Sequence, residues 1–176
     1  MGFSMSFLRL GAEGQQDGDR DGLRRFLDER GLEIDAGETS SCHLLDTAGS
    51  RLEFDGDWTD LHVDPLDKPG TLGGGIWHAT LSVAEVEFVF DLCVATNLLV
   101  VNHQGGGDSP MFLVPRRNHE ATELEALVTD ASYLFVESAD DLRDALLGDL
   151  DRFIEFRDRV VGRQEPPAPA TPDPAG

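Results

Sequence analysis

Residues 75–103, GIWHATLSVAEVEFVFDLCVATNLLVVNH, decide the fold class, because one short stretch carries the signatures of a strand, a helix and a second strand. Over residues 76–81, Trp77, Ala79 and Leu81 alternate with Ile76, His78 and Thr80, the period-2 pattern of a strand with one buried face. Ser82 then predicts a helix start. Its hydroxyl can accept from the Glu85 amide while the Glu85 carboxylate reaches back to the Ser82 amide, which makes a capping box. Beyond it Val86, Val89, Phe90, Cys93 and Val94 recur at three- and four-residue intervals, Phe88 and Leu92 widen the apolar arc, and Glu85, Glu87 and Asp91 lie elsewhere around the axis. Such a helix is expected between the sheet and a further element, with Phe90 buried. Asn97 suits the left-handed conformation that ends a helix. Residues 98–101 form a continuous apolar run, as a central strand requires. The stretch as a whole predicts a βαβ core.

Upstream, residues 4–10 read as an opening strand and 11–18 as a flexible loop. Asp19 is an N-cap for a helix over 20–30, whose Leu23, Phe26 and Leu27 face inward and which Gly31 ends. Residues 33–67 hold ten acids and a single base, Arg51, among strand-like pieces at 43–45, 51–54 and 61–63. Turn residues at 47–50 and 55–57 predict a hairpin or meander there. Downstream, a glycine-rich connection over 104–110 leads to a strand at 111–114, followed by a short helix at 121–128 and a strand at 133–136. Ser138 and Asp141 signal a long final helix to about residue 161, with Leu142, Leu146, Leu150, Phe153, Ile154 and Val160 toward the body. Residues 164–176 contain five prolines and are expected to be a disordered tail. The expectation is therefore an α+β domain over residues 1–163: a mixed sheet with a βαβ core unit, an acidic β-meander and a long C-terminal helix.

Forty percent hydrophobic content over 176 residues is enough for a sizeable core. Thirty-four acids against fourteen bases give a formal charge of -20, which argues against direct binding of a nucleic-acid backbone and favours a basic partner. Two cysteines, Cys42 and Cys93, do not make a disulfide framework, so a reduced, cytoplasmic setting is expected. No secretory leader pattern and no apolar run of membrane-spanning length occurs, so no membrane partner is expected.

Chemistry-bearing residues are few and scattered. His78, His103 and His119 could be imagined around a metal, but no short paired ligand spacing supports the site. His62 and Asp64 alternate onto one strand face, where a carboxylate could orient an imidazole as a general base. Cys42 and His43 are adjacent and so point to opposite faces, against a thiolate–imidazole pair. Gly73-Gly74-Gly75 precedes a strand and Gly105-Gly106-Gly107 leads to Pro110, so neither aims a helix N-terminus at a phosphate. Asp55, Asp57 and Asp60 lack the calcium-loop spacing. No cofactor, metal or catalytic set is expected.

These observations favour a small acidic protein-binding module, an inhibitor or immunity-type protein that neutralises a basic bacterial toxin or effector. Its expected contact residues are Asp55, Asp57, Asp60 and Asp64 on one exposed edge, since complementary charge speeds encounter and adds specificity. The alternatives are a hydrolase-like or metal-dependent enzyme using His62 and Asp64 or His78 and His103, and a structural or assembly adaptor.

Overall fold

The computed structural model of the chain describes residues 3–11, 13–35, 42–105, 109–115 and 133–162. In chain order its elements are β1 (Met5–Gly11), β2 (Gly14–Gln16), α1 (Arg20–Arg30), β3 (Glu33–Ile34), β4 (Cys42–Leu45), β5 (Glu53–Phe54), β6 (Asp57–Trp58), β7 (His62–Val63), β8 (Gly74–Ile76), α2 (Val83–Thr96), β9 (Leu99–Asn102), β10 (Phe112–Pro115), β11 (Tyr133–Val136) and α3 (Ala139–Gly162). The main sheet runs β11-β10-β9-β1-β8-β7-β4-β3, with β2 paired to the far half of β1. It is a mixed α+β sheet, because β10 and β11 are parallel while every other neighbouring pair is antiparallel.

The βαβ unit is present but split. β1 lies between β8 and β9 and is antiparallel to both, in the registers Ser6↔Gly75 and Ser6↔Val101, so β8 and β9 run parallel with β1 inserted between them. The acidic segment contributes β4 and β7 to the sheet and extrudes β5 and β6 as a separate two-stranded ribbon. The turn of that ribbon is Asp55-Gly56, both at positive φ (54° and 87°), the backbone that a two-residue hairpin needs to match strand twist.

The three described helices pack on one face. Leu23, Phe26 and Leu27 of α1, Val86, Val89, Leu92 and Cys93 of α2, and Leu142 and Leu146 of α3 join Met5, Phe7, Ile76, Val100, Leu113 and Val136 of the sheet in a single apolar core. Gly22 lets α1 approach α2 closely, since a Cβ there would overlap the Ala95 carbonyl. α1 begins at Asp19, whose carboxylate accepts from the Gly22 amide, and ends at left-handed Gly31; α2 ends at left-handed Asn97. On the other face Leu99 and Val114 are buried, with Leu8, Leu10, Val101 and Phe112 partly buried beside them.

Four local expectations are corrected. The strand predicted over 76–81 stops at Ile76. Residues 14–16, placed in a loop, form β2. The inward line of α2 is Val86, Val89, Leu92, Cys93 and Thr96, and Phe90 is only half-buried, because a face fed by residue 92 rather than 90 meets the sheet at helical spacing. The capping box is half made: Ser82 Oγ accepts from the Glu85 amide at 3.3 Å, but the Glu85 carboxylate serves other amides. The helix expected over 121–128, the tail over 164–176 and His119 lie outside the described residues, as do the side chains of Leu150, Phe153, Ile154 and Val160.

Candidate binding surface around the Trp77 crossover

The connection from β8 to α2 shows why the strand stops at Ile76. Each amide from residue 77 to 82 has an acceptor outside any sheet ladder. Trp77 and His78 donate to Asp60 Oδ1 at 2.9 and 3.2 Å, and Ala79 donates to the Phe3 carbonyl at 2.8 Å. Thr80 and Leu81 both donate to Glu85 Oε2 at 2.8 Å, and Ser82 donates to Thr80 Oγ1 at 3.3 Å. Two buried carboxylates, Asp60 at 8% exposure and Glu85 at 1%, thus hold the crossover in place of a neighbouring strand. Leu81 sits at φ 56°, an unfavourable conformation for a branched residue, and is clamped by Glu85 on its amide and by Arg143 Nε on its carbonyl at 3.0 Å.

The two acids differ in electrostatics. Burial works against ionising Asp60, yet the hydrogen bonds from His78 and from the Trp77 and His78 amides hold its carboxyl below the usual range. Burial dominates at Glu85 and raises its carboxyl despite the bonds from Leu81, Thr80 and Thr59.

Holding the crossover this way turns Trp77 outward. Its side chain is 56% exposed, and its ring stacks on His62 with centroids 5.9 Å apart and planes 12° apart. His78 is also exposed and places Nδ1 2.6 Å from Asp60 Oδ2. A carboxylate in that position accepts a hydrogen bond from Nδ1–H and fixes the orientation of the ring. The ribbon lies two residues upstream of Asp60 and carries Trp58, 59% exposed. Phe54 anchors the ribbon to α2, with its ring 5.3 Å from that of Phe88. Thr59 joins the ribbon to the crossover, donating to Glu85 Oε1 at 3.5 Å and accepting from the Leu61 amide at 3.2 Å. The chain has two tryptophans, and both are exposed around Asp60.

The four predicted contact acids do not form one exposed edge. Asp55 and Asp57 are exposed on the ribbon, beside exposed Glu53. Asp60 is buried and spends its carboxylate on the crossover; Asp64 is half-exposed at the end of β7 and accepts from Lys68 Nζ at 3.0 Å. The period-2 spacing of His62 and Asp64 does place both on one groove, but they are not bonded to each other. His62 Nδ1 instead lies 3.3 Å from the Asp60 carbonyl, so the alternative in which Asp64 orients His62 finds no hydrogen bond between them. His78 pairs with Asp60, and His103 Nε2 lies 2.6 Å from Ser6 Oγ. Among the described residues no group of three or more His, Cys, Asp or Glu side chains could hold a metal. Cys42 and Cys93 are buried thiols, each raised by burial. No described helix is long and apolar enough to cross a membrane.

Sequence reading missed Trp58, Trp77 and Ser6 as surface groups. The signal for Trp58 was available: it stands two residues after the Asp55-Gly56 turn in a ribbon too short to bury both faces. For Trp77 and Ser6 no local signal existed, since their exposure depends on the carboxylate of Asp60 and on Gly75 lying beside Ser6 in the sheet. No family model, no curated protein and no solved structure matches this chain.

Proposed function

We propose that this chain is a cytoplasmic protein-binding module of the inhibitor or immunity type, which engages a basic protein partner such as a bacterial toxin or effector. The observation that carries the reading is the exposure of both tryptophans, Trp77 on a crossover fixed by Asp60 and Trp58 on the ribbon with the acidic residues Glu53, Asp55 and Asp57. Tryptophans are favoured as interface anchors because a large, rigid ring buries much area at little entropic cost. Exposing two of them is unfavourable in an isolated protein, and a partner that covers them recovers that area. The surrounding carboxylates supply charge steering toward Arg and Lys.

The test is association and dissociation kinetics with a partner captured from the native organism. Asp55→Asn with Asp57→Asn should slow association and flatten its salt dependence, whereas Trp58→Ala and Trp77→Ala should chiefly speed dissociation. A partner whose kinetics ignore all four substitutions does not use this surface.

A second reading has one specific support. The buried carboxylate of Asp60 orients His78 as it would a general base. A turnover abolished by His78→Gln with partner binding intact would favour that enzymatic role.

A further inference from the structure

We propose that the groove between β1 and β7 is a slot for a guanidinium group, which receives an arginine side chain of the partner. The inference rests on the protein-binding reading above and names what one side of that surface recognises. The groove encloses about 300 Å³ and is bounded by Ser6, Gln15, His62 and Asp64, with Gly73 and Gly74 in its lining. Its floor is kept bare by glycine. A Cβ at Gly73 would lie 3.5 Å from Asp64 Oδ2 and 3.9 Å from Gln15 Nε2, so any side chain there would stand between the acid and the amide. At Gly75, one residue further along β8, a Cβ would lie 3.4 Å from His62 Cε1.

The walls are rich in acceptors. The Asp60 carbonyl can only accept, so the 3.3 Å contact calls for a proton on His62 Nδ1, and in the neutral ring Nε2 then carries the lone pair. Asp64 uses Oδ1 for Lys68 and turns Oδ2 toward the space over Gly73. Ser6 Oγ, engaged by His103, keeps a second lone pair on the opposite wall, where Gln15 places its side-chain amide. Among the described residues no cationic side chain lines the groove, Lys68 reaching Asp64 only at Oδ1, and the chain carries a net charge of -20, so the fitting ligand is positive and donates several hydrogen bonds. A guanidinium presents five N–H donors in one plane, matching acceptors spread over opposite walls, where an ammonium presents three from a point. The Trp77–His62 stack shares its imidazole with the groove wall, so an arginine entering here belongs to the same footprint as the exposed tryptophan.

The experiment titrates 15N-labelled protein with Nα-acetyl-arginine amide, and in parallel with the citrulline and lysine counterparts. The arginine probe should give saturable shifts centred on Gly73, Gly74 and His62. Citrulline, nearly isosteric but neutral, should bind at least about tenfold more weakly, the scale of one charge-assisted hydrogen bond. Asp64→Asn should impose a similar loss, and so should Gly73→Ala, with thermal melting confirming that each variant is folded. The slot is overturned by the absence of saturable shifts, by equal response to citrulline, or by indifference to Asp64→Asn. Equal affinity for the lysine probe overturns the guanidinium assignment. These probes need no partner, so failure here is separable from failure of the tryptophan surface, which the partner kinetics read.

Discussion

On the helix-covered face of the sheet, Met5, Phe7, Ile76 and Val100 meet Val89, Leu92 and Leu142, while on the opposite face β1, β8, β7 and β4 present Ser6, Gly75, His62 and His43. One residue of register separates the two sets, since neighbours along a strand point to opposite sides. The first face is held by area removed from water and tolerates no gap. The second buries Leu99 and Val114 among partly buried neighbours, and beside it the crossover from β8 is held by directed hydrogen bonds to two buried carboxylates, which keep Trp77 and His78 in the open. Stability and the proposed recognition would therefore draw on different residues, and substitutions should separate them.

The largest effect is expected in the core. Leu92→Ala, at 0% exposure, should cost about 3–5 kcal/mol through lost transfer energy and the cavity left behind. Half-buried Phe90→Ala should cost less, about 1–2 kcal/mol. Urea midpoints of the two variants check the helix orientation; a larger cost at Phe90 would reverse it. Next comes Glu85. Glu85→Ala strands the Thr80 and Leu81 amides and frees left-handed Leu81, at about 2–3 kcal/mol, whereas Glu85→Gln keeps an acceptor and should cost under about 1 kcal/mol.

The two carboxylates should respond oppositely to pH. Glu85 is raised from 4.5, so its proton is held more tightly in the folded protein; the stability it contributes is full below 4.5 and is lost as pH rises through the folded value. Asp60 is lowered from 3.8, so its contribution is present above 3.8 and is lost as pH falls through the folded value. Asp60→Asn should cost about 1–2 kcal/mol at pH 7 and progressively less below 3.8, read as denaturant midpoints against pH. A penalty that stays constant down to pH 2 would show that Asp60 holds the crossover by shape alone.

The smallest effects on stability are expected where binding is expected. Trp58→Ala and Trp77→Ala should each change unfolding free energy by about 0.5 kcal/mol or less, as exposed positions do. A loss above about 2 kcal/mol would make the tryptophan a buried support rather than a docking group and would erase the contrast between the faces.

Much of the scaffold was legible because its causes are local. Asp19, Gly31, Ser82 and Asn97 mark helix ends through bonds and backbone angles set within a few residues, and the Asp55-Gly56 pair marks its hairpin in the same way. The surface was less legible. Asp60 looks in sequence like one more member of an acidic run, and only contacts across 17 and 18 residues turn it into the acceptor for Trp77 and His78. Glu85 satisfies a capping-box pattern, yet its carboxylate prefers Thr80 and Leu81, whose amides have no other partner once the chain leaves β8.

By itself, then, the sequence determined the elements, the acidic character and the α+β class, since periodicity, capping and charge are properties of residues near one another in the chain. Tertiary structure decided the insertion of β1 between β8 and β9, the burial of Asp60 and the exposure of Trp77. Those outcomes follow from which distant backbone groups still need a hydrogen-bond partner after the sheet has formed, and only the assembled fold sets that balance.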